Sequence, residues 1–427
     1  MNILIDGHDI TLVGGIERFT ANLTTAMTQR GHKVFLFTYA PEGSRHQFFF
    51  DPDVHLVHYL FTGDPAHIPA LRQQILACRP DVLVSPASFN NHLLWCAALA
   101  GTGIPWVYSE RSDPWIIEQE RWDSAERAAT LSVADSTHLL LPSFVETMPH
   151  AARDRVRVIP NPLALVPERT CKSVGDTKAV LSLGRLDAVK QLHILIDAFA
   201  LLCGDFPQWR LEIWGEGEER TCLQRLIERE RLWGRTNLRG LTSTPEQQYA
   251  VADIFCLPSR YEGFPNTVIE AQAHGLPVVG FAGCAALNKL VRHGETGLLA
   301  PEMTAESLAS SLRTLMSDAD LRRKMGENAR VAASAYAPER IFDAWEALLA
   351  DTAACKGHTR LQECLAGQAQ SPELDRQYAV MRTLLRRKNV LLKDGQWLRR
   401  LVRRYPPLRK KLQSAKRSLA LLKGKKP

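Results

Sequence analysis

A chain of 427 residues is too long for one ordinary core and suits two domains of roughly 150 to 200 residues each. Hydrophobic content of 45% and charged content of 23% exclude wholesale disorder and a fibrous class. The net charge of +7 is uneven: residues 376–427 hold 18 Lys or Arg against a single acid, Asp394, which leaves 35 basic and 45 acidic side chains in residues 1–375. The basic character belongs to the tail.

The chain opens on MNILIDGHDITLVGG, a strand-like run without the basic segment, apolar stretch and cleavage site of a secretory signal, and no window approaches eighteen uninterrupted apolar residues. A cytoplasmic protein is expected. The apolar runs NILIDG, HKVFLFTY, VHLVHY, DVLVSP, PWVYS and HLLLP alternate with amphipathic or turn-bearing stretches, the rhythm of βαβ units on a parallel sheet. It resumes after residue 178 with KAVLSLG, RLEIWG, TNLRG, DIFCLP and LPVVGF. Between the two sets, VRVIPNPLALVPERTCKSVGDTK carries the prolines, glycine and charges of a hinge or linker near 160–177. Two doubly wound halves with a cleft between them follow, and ligands should sit outside the carboxyl ends of the strands. The expected boundaries are 1–165, 166–350 and a basic helical extension, 351–427, read as an appendage broken at Gly395 and Pro406-Pro407. Nine scattered cysteines without a CxxC pair read as reduced core filler.

Three stretches combine the right residue types for chemistry. LVGGIERF at 12–19 follows the first strand, and Gly14 and Gly15 permit close backbone approach by a ligand or simply make a tight turn. LGRLDAVKQ at 183–191 sets Arg185 and Lys190 between a strand and a helix, where two cations can neutralise a pyrophosphate or merely open a solvated helix. SRYEGFPNTVIEAQAHGLPVVG at 259–280 places Glu262 on a loop and Glu270 about one turn into a helix beginning near Asn266, with a strand ending near Leu257. A glycine and a proline between the acids would expose N–H groups at the helix N-terminus, and ionised carboxylates accept strong hydrogen bonds from sugar hydroxyls. The plainer alternative makes Glu270 a first-turn acid favoured by the helix dipole and Glu262 a solvated loop charge. The acidic triplets DPD at 51–53 and DAD at 318–320 have metal-binding spacing but the context of a turn and a helix cap, so no metal site is expected. His8, His92 and His274 read as structural histidines first and site residues second.

GRLDAVKQLHILIDAFALL, IWGEGEERTCLQRLI, SRYEGFPNTVIEAQAHGLPVV and GETGLLAP, in this order, resemble the carboxyl-domain motifs of family 4 retaining glycosyltransferases. The resemblance extends over about 1–350 and is most specific from 178 to 301. It implies the GT-B fold, an α/β architecture of two Rossmann-like domains facing a cleft: an acceptor domain followed by a nucleotide-sugar donor domain. By resemblance Glu270 binds the nucleotide ribose and Glu262 faces the donor sugar. Gly263, Phe264, Pro265 and Asn266 line sugar and diphosphate, Arg185 and Lys190 grip the diphosphate, and Gly14 and Gly15 approach the phosphates from the amino domain. Many relatives place a histidine after the fourth amino-domain strand, whereas VYSERSDP puts Glu110 and Arg111 there. Arg111 can serve the reacting centre, with a structural Glu110–Arg111 pair as the alternative. SERSDP and GCAALNKLVRHG resemble a bacterial envelope-glycan subgroup.

The implied reaction moves a hexosyl or N-acetylhexosaminyl group from a nucleotide-diphosphate sugar, a UDP-sugar, to a hydroxyl of a lipid-linked or envelope glycan, without metal or other cofactor. A nucleotide-sugar-binding regulator without transfer activity is the alternative from another class. The tail's cations suit an anionic inner-membrane surface, giving a peripheral protein on the cytoplasmic face. Nucleic acid is the weaker alternative, since few aromatics interleave the cations.

Overall fold

The computed structural model describes residues 1–12, 14–60, 67–86, 92–120, 123–163 and 178–391. The linker segment 164–177 and the basic stretch beyond 391, with Gly395, Trp397 and the double proline, lie outside the described residues.

Two wholly parallel sheets form the frame. The first contains β1 (Asn2–His8), β2 (Lys33–Thr38), β3 (His55–His58), β4 (Val82–Pro86), β5 (Trp106–Ser109), β6 (Ser136–Leu139) and β7 (Val156–Val158), in the order β3-β2-β1-β4-β5-β6-β7. The second contains β8 (Lys178–Leu183), β9 (Trp209–Trp214), β10 (Thr236–Leu238), β11 (Ile254–Leu257), β12 (Val278–Phe281) and β13 (Gly297–Ala300), in the order β10-β9-β8-β11-β12-β13. The central strands β4, β5, β11 and β12 are buried throughout, as strands of a sheet covered on both faces are. Chain order reverses between β1 and β4 in one sheet and between β8 and β11 in the other, and these switch points are where such sheets open a crevice.

Two strands escape the sequence pattern. Val156–Val158 is three residues long and largely exposed, and Gly297–Ala300 lies inside GETGLLAP. Both are edge strands, too short to show alternation.

The expected boundary at 350 is corrected by packing. The helix Pro338–Ala353 leaves the second half and returns to the first: Ile341, Phe342, Trp345, Leu348 and Leu349 share one apolar cluster with Ile3, Ile5, Phe19 and Val107. Trp345 lies 5.2 Å from the Phe19 ring and 4.4 Å from His138. The extension is not an appendage either. Its helices Arg360–Ala366 and Pro372–Leu391 bury Leu361, Cys364, Leu374, Tyr378 and Met381 in a cluster that includes Trp95, Ala129 and Val133 of the first half. An amphipathic helix announces that it will pack, but its own sequence does not say against which sheet.

Candidate active site

The stretch that joins β11 to the helix Asn266–Ala273 has the expected form, a strand ending at Leu257 and a helix starting at Asn266. Pro265 precedes that helix, and no side chain caps its first turn. Glu262 stands on the loop. Its Oε1 accepts from Lys190 Nζ at 2.5 Å and from Ser259 Oγ at 2.6 Å, and the Lys190–Glu262 pair is only about one-seventh exposed. Lys190 reaches it from the 3-10 turn after β8, a turn whose cap, Asp187, accepts the Lys190 N–H. Arg185 is placed differently: three-quarters of its side chain is exposed and its guanidinium pairs with Asp187 at 3.2 Å.

Glu270, buried on the same helix, faces the other half of the molecule. Oε1 is 2.7 Å from Nη1 of Arg18, on the first helix (Gly15–Gln29), and Oε2 accepts from the Tyr249 hydroxyl at 2.9 Å. Burial, with the Glu270 charge beside it, holds the Tyr249 hydroxyl protonated well above its ordinary range. The Asn266 side chain at the head of the helix accepts from Asn161 Nδ2 at 2.8 Å, across the seam between the halves. A Cβ on Gly15 would come within 3.9 Å of the Asn266 amide nitrogen, so the glycine loop after β1 faces the same helix end. Gly263 is obligatory for a different reason. A Cβ there would stand 2.5 Å from the Arg111 carbonyl oxygen, a distance no side chain tolerates. Phe264 turns its ring inward against Tyr336, leaving only its main chain for a ligand.

Glu110 is not brought to this group. Both its oxygens are consumed by Arg127, at 2.8 and 2.7 Å, in a fully buried bidentate pair that Thr147 also braces. The alternative of a structural Glu-Arg pair is met by Arg127 and not by Arg111. Arg111 is 8% exposed, its Nη2 donates to Asn161 Oδ1, its guanidinium lies 3.6 Å over the Phe19 ring, and its buried Nη1 has no hydrogen-bond partner among the described residues. Burial alone pulls the Arg111 guanidinium down to about 9. His138, whose ring nitrogens meet Ser109 Oγ and the Ile159 carbonyl oxygen, is held well below its ordinary range by burial and by the Arg111 charge.

The other candidates sit in hydrogen bonds and ion pairs of their own. His8 has φ of 52° and joins Asp6 to the Pro86 carbonyl oxygen, His92 meets Glu126 at 2.9 Å, and His274 bonds the Glu270 carbonyl oxygen at 2.8 Å. Asp51 closes a turn onto the Asp53 N–H, and Asp318 caps the helix Ala319–Ala333. Among the described residues, no three His, Cys, Asp or Glu side chains converge as metal ligands would. Arg18, Tyr249, Ser259 and Asn161 were missed in the sequence. The signals were present for two of them: Arg18 lies in GGIERF beside the noted glycines, and Asn161 in the IPNP of the linker.

Residues 170–332 match the family described as Glycosyl transferases group 1, and residues 13–165 match Glycosyltransferase Family 4. An uncharacterized glycosyltransferase of Haemophilus influenzae is 32% identical over 191 residues, 45% of this chain and 54% of that protein. The lipopolysaccharide core biosynthesis glycosyltransferase LpsE of Rhizobium meliloti is 31% identical over 177 residues, 41% of this chain and 51% of that one. The chain thus spans about half the length of these curated relatives. The Anabaena Alr3699/HepE crystal structure in complex with UDP and glucose superposes with a TM-score of 0.68 at 19% identity, covering 82% of this chain and 99% of that one, which shows the GT-B fold.

Proposed function

Because this chain belongs to glycosyltransferase family 4, we propose that it moves a hexosyl or N-acetylhexosaminyl group from a UDP-sugar to a hydroxyl of a lipid-linked or envelope glycan, with retention of anomeric configuration. The observation that carries this reading is the meeting of Lys190–Glu262, Arg18–Glu270 and Asn161–Asn266 around one helix end at the seam of two Rossmann-like halves. The UDP and glucose of the Anabaena structure and the lipopolysaccharide role of the Rhizobium relative support the choice of donor and acceptor class.

The chemistry follows from charge. As the bond to the diphosphate breaks, positive charge grows on the anomeric carbon and negative charge on the departing oxygen. Lys190 and the uncapped N–H groups at the head of the Asn266–Ala273 helix stabilise that oxygen, with Arg185 swinging in from its exposed position and Arg111 acting from the opposite wall. Those groups take the role of a metal ion in this scheme. Glu270 receives the ribose hydroxyls in concert with Tyr249 and Arg18, and Glu262 receives a hydroxyl of the transferred sugar while neutralised by Lys190. With Glu262 and Glu270 committed to hydroxyls, neither serves as nucleophile, and the acceptor attacks on the face the diphosphate leaves. Gly14 and Gly15 let the amino half close on the phosphates.

The tail supplies the partner surface. Its cations attract an anionic leaflet at about 1 kcal/mol per nearby charge, which would hold the enzyme at the membrane that carries its acceptor. No helix among the described residues is long and apolar enough to cross a membrane.

A screen of UDP- and GDP-sugars, scored by released nucleotide diphosphate, tests the reaction. UDP release is expected; UDP binding without release from any sugar would turn the reading into a nucleotide-sugar-binding regulator. Flotation with anionic vesicles tests the tail, using a chain ended after Leu391 because the Pro372–Leu391 helix belongs to the first half's core. Equal flotation of both forms would sink the membrane role.

A further inference from the structure

Arg111 presents a physical puzzle that its place in the proposed reaction does not by itself explain. A buried guanidinium is normally paired with a carboxylate, because an uncompensated charge in a low-dielectric interior is expensive. Among the described residues no carboxylate pairs with Arg111, and burial pulls its proton affinity down. What holds it is neutral: the Phe19 ring on one face and the Asn161 amide at Nη2, while the buried Nη1 has no partner among the described residues. The buried Arg127 has its carboxylate in Glu110, and the buried Arg322, which also lies over an aromatic ring, gives its Nη1 to the Leu315 and Met316 carbonyl oxygens, whereas the Nη1 of Arg111 meets no acceptor among the described residues. Asn161 also continues across the seam to Asn266, so the same amide fixes the distance between Arg111 and the head of the helix Asn266–Ala273.

We propose that Asn161 is a positioning residue that anchors Arg111 through an uncharged amide, so that the guanidinium stays ordered yet uncommitted and gives its free Nη1 edge to an oxyanion of the donor diphosphate entering at the helix end. The inference rests on the proposed function for the identity of that anion. It explains why an amide and not a carboxylate occupies position 161. An aspartate would make the stronger partner and would quench the charge that the diphosphate needs. The contact chain also makes the site bipartite: the cation comes from one half and the helix end from the other, and Asn161 touches both.

The discriminating variant is Asn161→Asp, nearly the same size, with the Asn266 amide free to reverse and donate to it. UDP affinity is measured by calorimetry, and the ligand-free melting midpoint by thermal scan, for the full chain, N161D, Arg111→Met and the double variant. The expected result is a loss of UDP affinity of tenfold or more in N161D, with a ligand-free midpoint held or raised, because the buried cation has gained a counter-charge. In the R111M background N161D should cost less than twofold. A merely structural Asn161 would lower midpoint and affinity together. That outcome overturns the proposal, as would UDP affinity within twofold of the parent, or the same loss in the R111M background. Repeating the comparison with inorganic pyrophosphate separates the two readings: parent protein that binds pyrophosphate in this pattern but releases no nucleotide diphosphate from any sugar refutes the transferase function and keeps the anion site. A parent that turns over UDP-sugar while N161D behaves like it refutes only the anion site.

Discussion

The two halves of the molecule share an architecture and differ in how they handle charge. The second half keeps Lys190, Glu262 and Arg185 on short loops at the sheet edge, the first two partly covered and Arg185 open, and buries one site acid, Glu270, in a helix. The first half takes charge inside: Asp6, Glu110, Arg127, Arg111, Asp135 and His138 are all nearly or wholly buried. Asp6 illustrates the cost, since burial raises its carboxyl above the ordinary carboxylate range although His8, Trp95 and Tyr59 all hold it. The difference separates two uses of one kind of group. Edge charges stay available to a ligand, and buried ones mostly hold the scaffold that aims them, with Glu270 and Arg111, buried beside the seam, as exceptions.

If that division is right, breaking a buried pair should damage stability and breaking an edge pair should damage turnover. Arg127→Met is the most severe test, because it strands the Glu110 carboxylate at zero exposure. The cost should be about 3–5 kcal/mol of unfolding free energy, read by denaturant titration. Replacing both partners, Glu110→Gln with Arg127→Met, should recover most of it, because the penalty comes from the stranded charge. A single variant as stable as the parent would place the pair among the edge charges.

Lys190→Ala is the counterpart in the second half. Removing one preorganised charge-stabilising group typically costs about 10²–10³ in turnover, and the same loss is expected in nucleotide diphosphate release. The circular dichroism spectrum and melting midpoint should stay near the parent's, because the partner left behind, Glu262, keeps Ser259 and some solvent. Unchanged turnover would remove Lys190 from the reaction.

This contrast also explains what could be read from the sequence. Residues 257–270 were legible almost to the residue, since a strand end, a loop and a helix start follow one another and their spacing alone sets Glu262 and Glu270 around the turn. The buried half was not. Glu110 stands in the stretch expected to touch the donor, but whether its carboxylate faces a ligand or the core depends on Arg127, 17 residues away on the helix Ser124–Val133. Arg18 and Asn161 act only once the halves meet, and nothing local to either says that Glu270 or Asn266 will be opposite. The return helix failed for the same reason: its apolar stripe was visible, and the sheet it covers was decided by the path of the chain.

A gentler probe concerns the helices that dock on the first half. Thr359 caps Arg360–Ala366 in a capping box with Gln362 and is 2% exposed. Thr359→Ala should cost about 1 kcal/mol, within the usual 0.5–2 for a lost cap. If the extension were a loose appendage the global melting midpoint would not move. A lower midpoint in a single transition would show that these helices unfold with the first half.

The finest distinction is between buried charge that braces and buried charge that strains, and Asp135 supplies it through pH. Its Oδ2 accepts from the Trp106 N–H at 2.9 Å and its Oδ1 from the Arg360 N–H at 2.7 Å, tying β5 to the docked extension. Desolvation outweighs these bonds and the nearby Arg155 and Arg360, so the carboxyl is pushed up to about 6 from 3.8. Between those values the folded protein keeps a proton that the unfolded chain has released. Its contribution to stability is therefore full below pH 3.8, declines as pH rises through the window and is gone above about 6. In Asp135→Asn the baseline should be lower, because an amide oxygen can accept only one of the two N–H groups in the same geometry, but this component of the slope should vanish. Melting midpoints at half-unit steps from pH 4 to 6.5, compared between parent and variant as slopes, decide the matter. Parallel slopes would mean that the two N–H bonds hold Asp135 ionised throughout, and the first half would then strain less under its buried charge than Asp6 and Arg111 indicate.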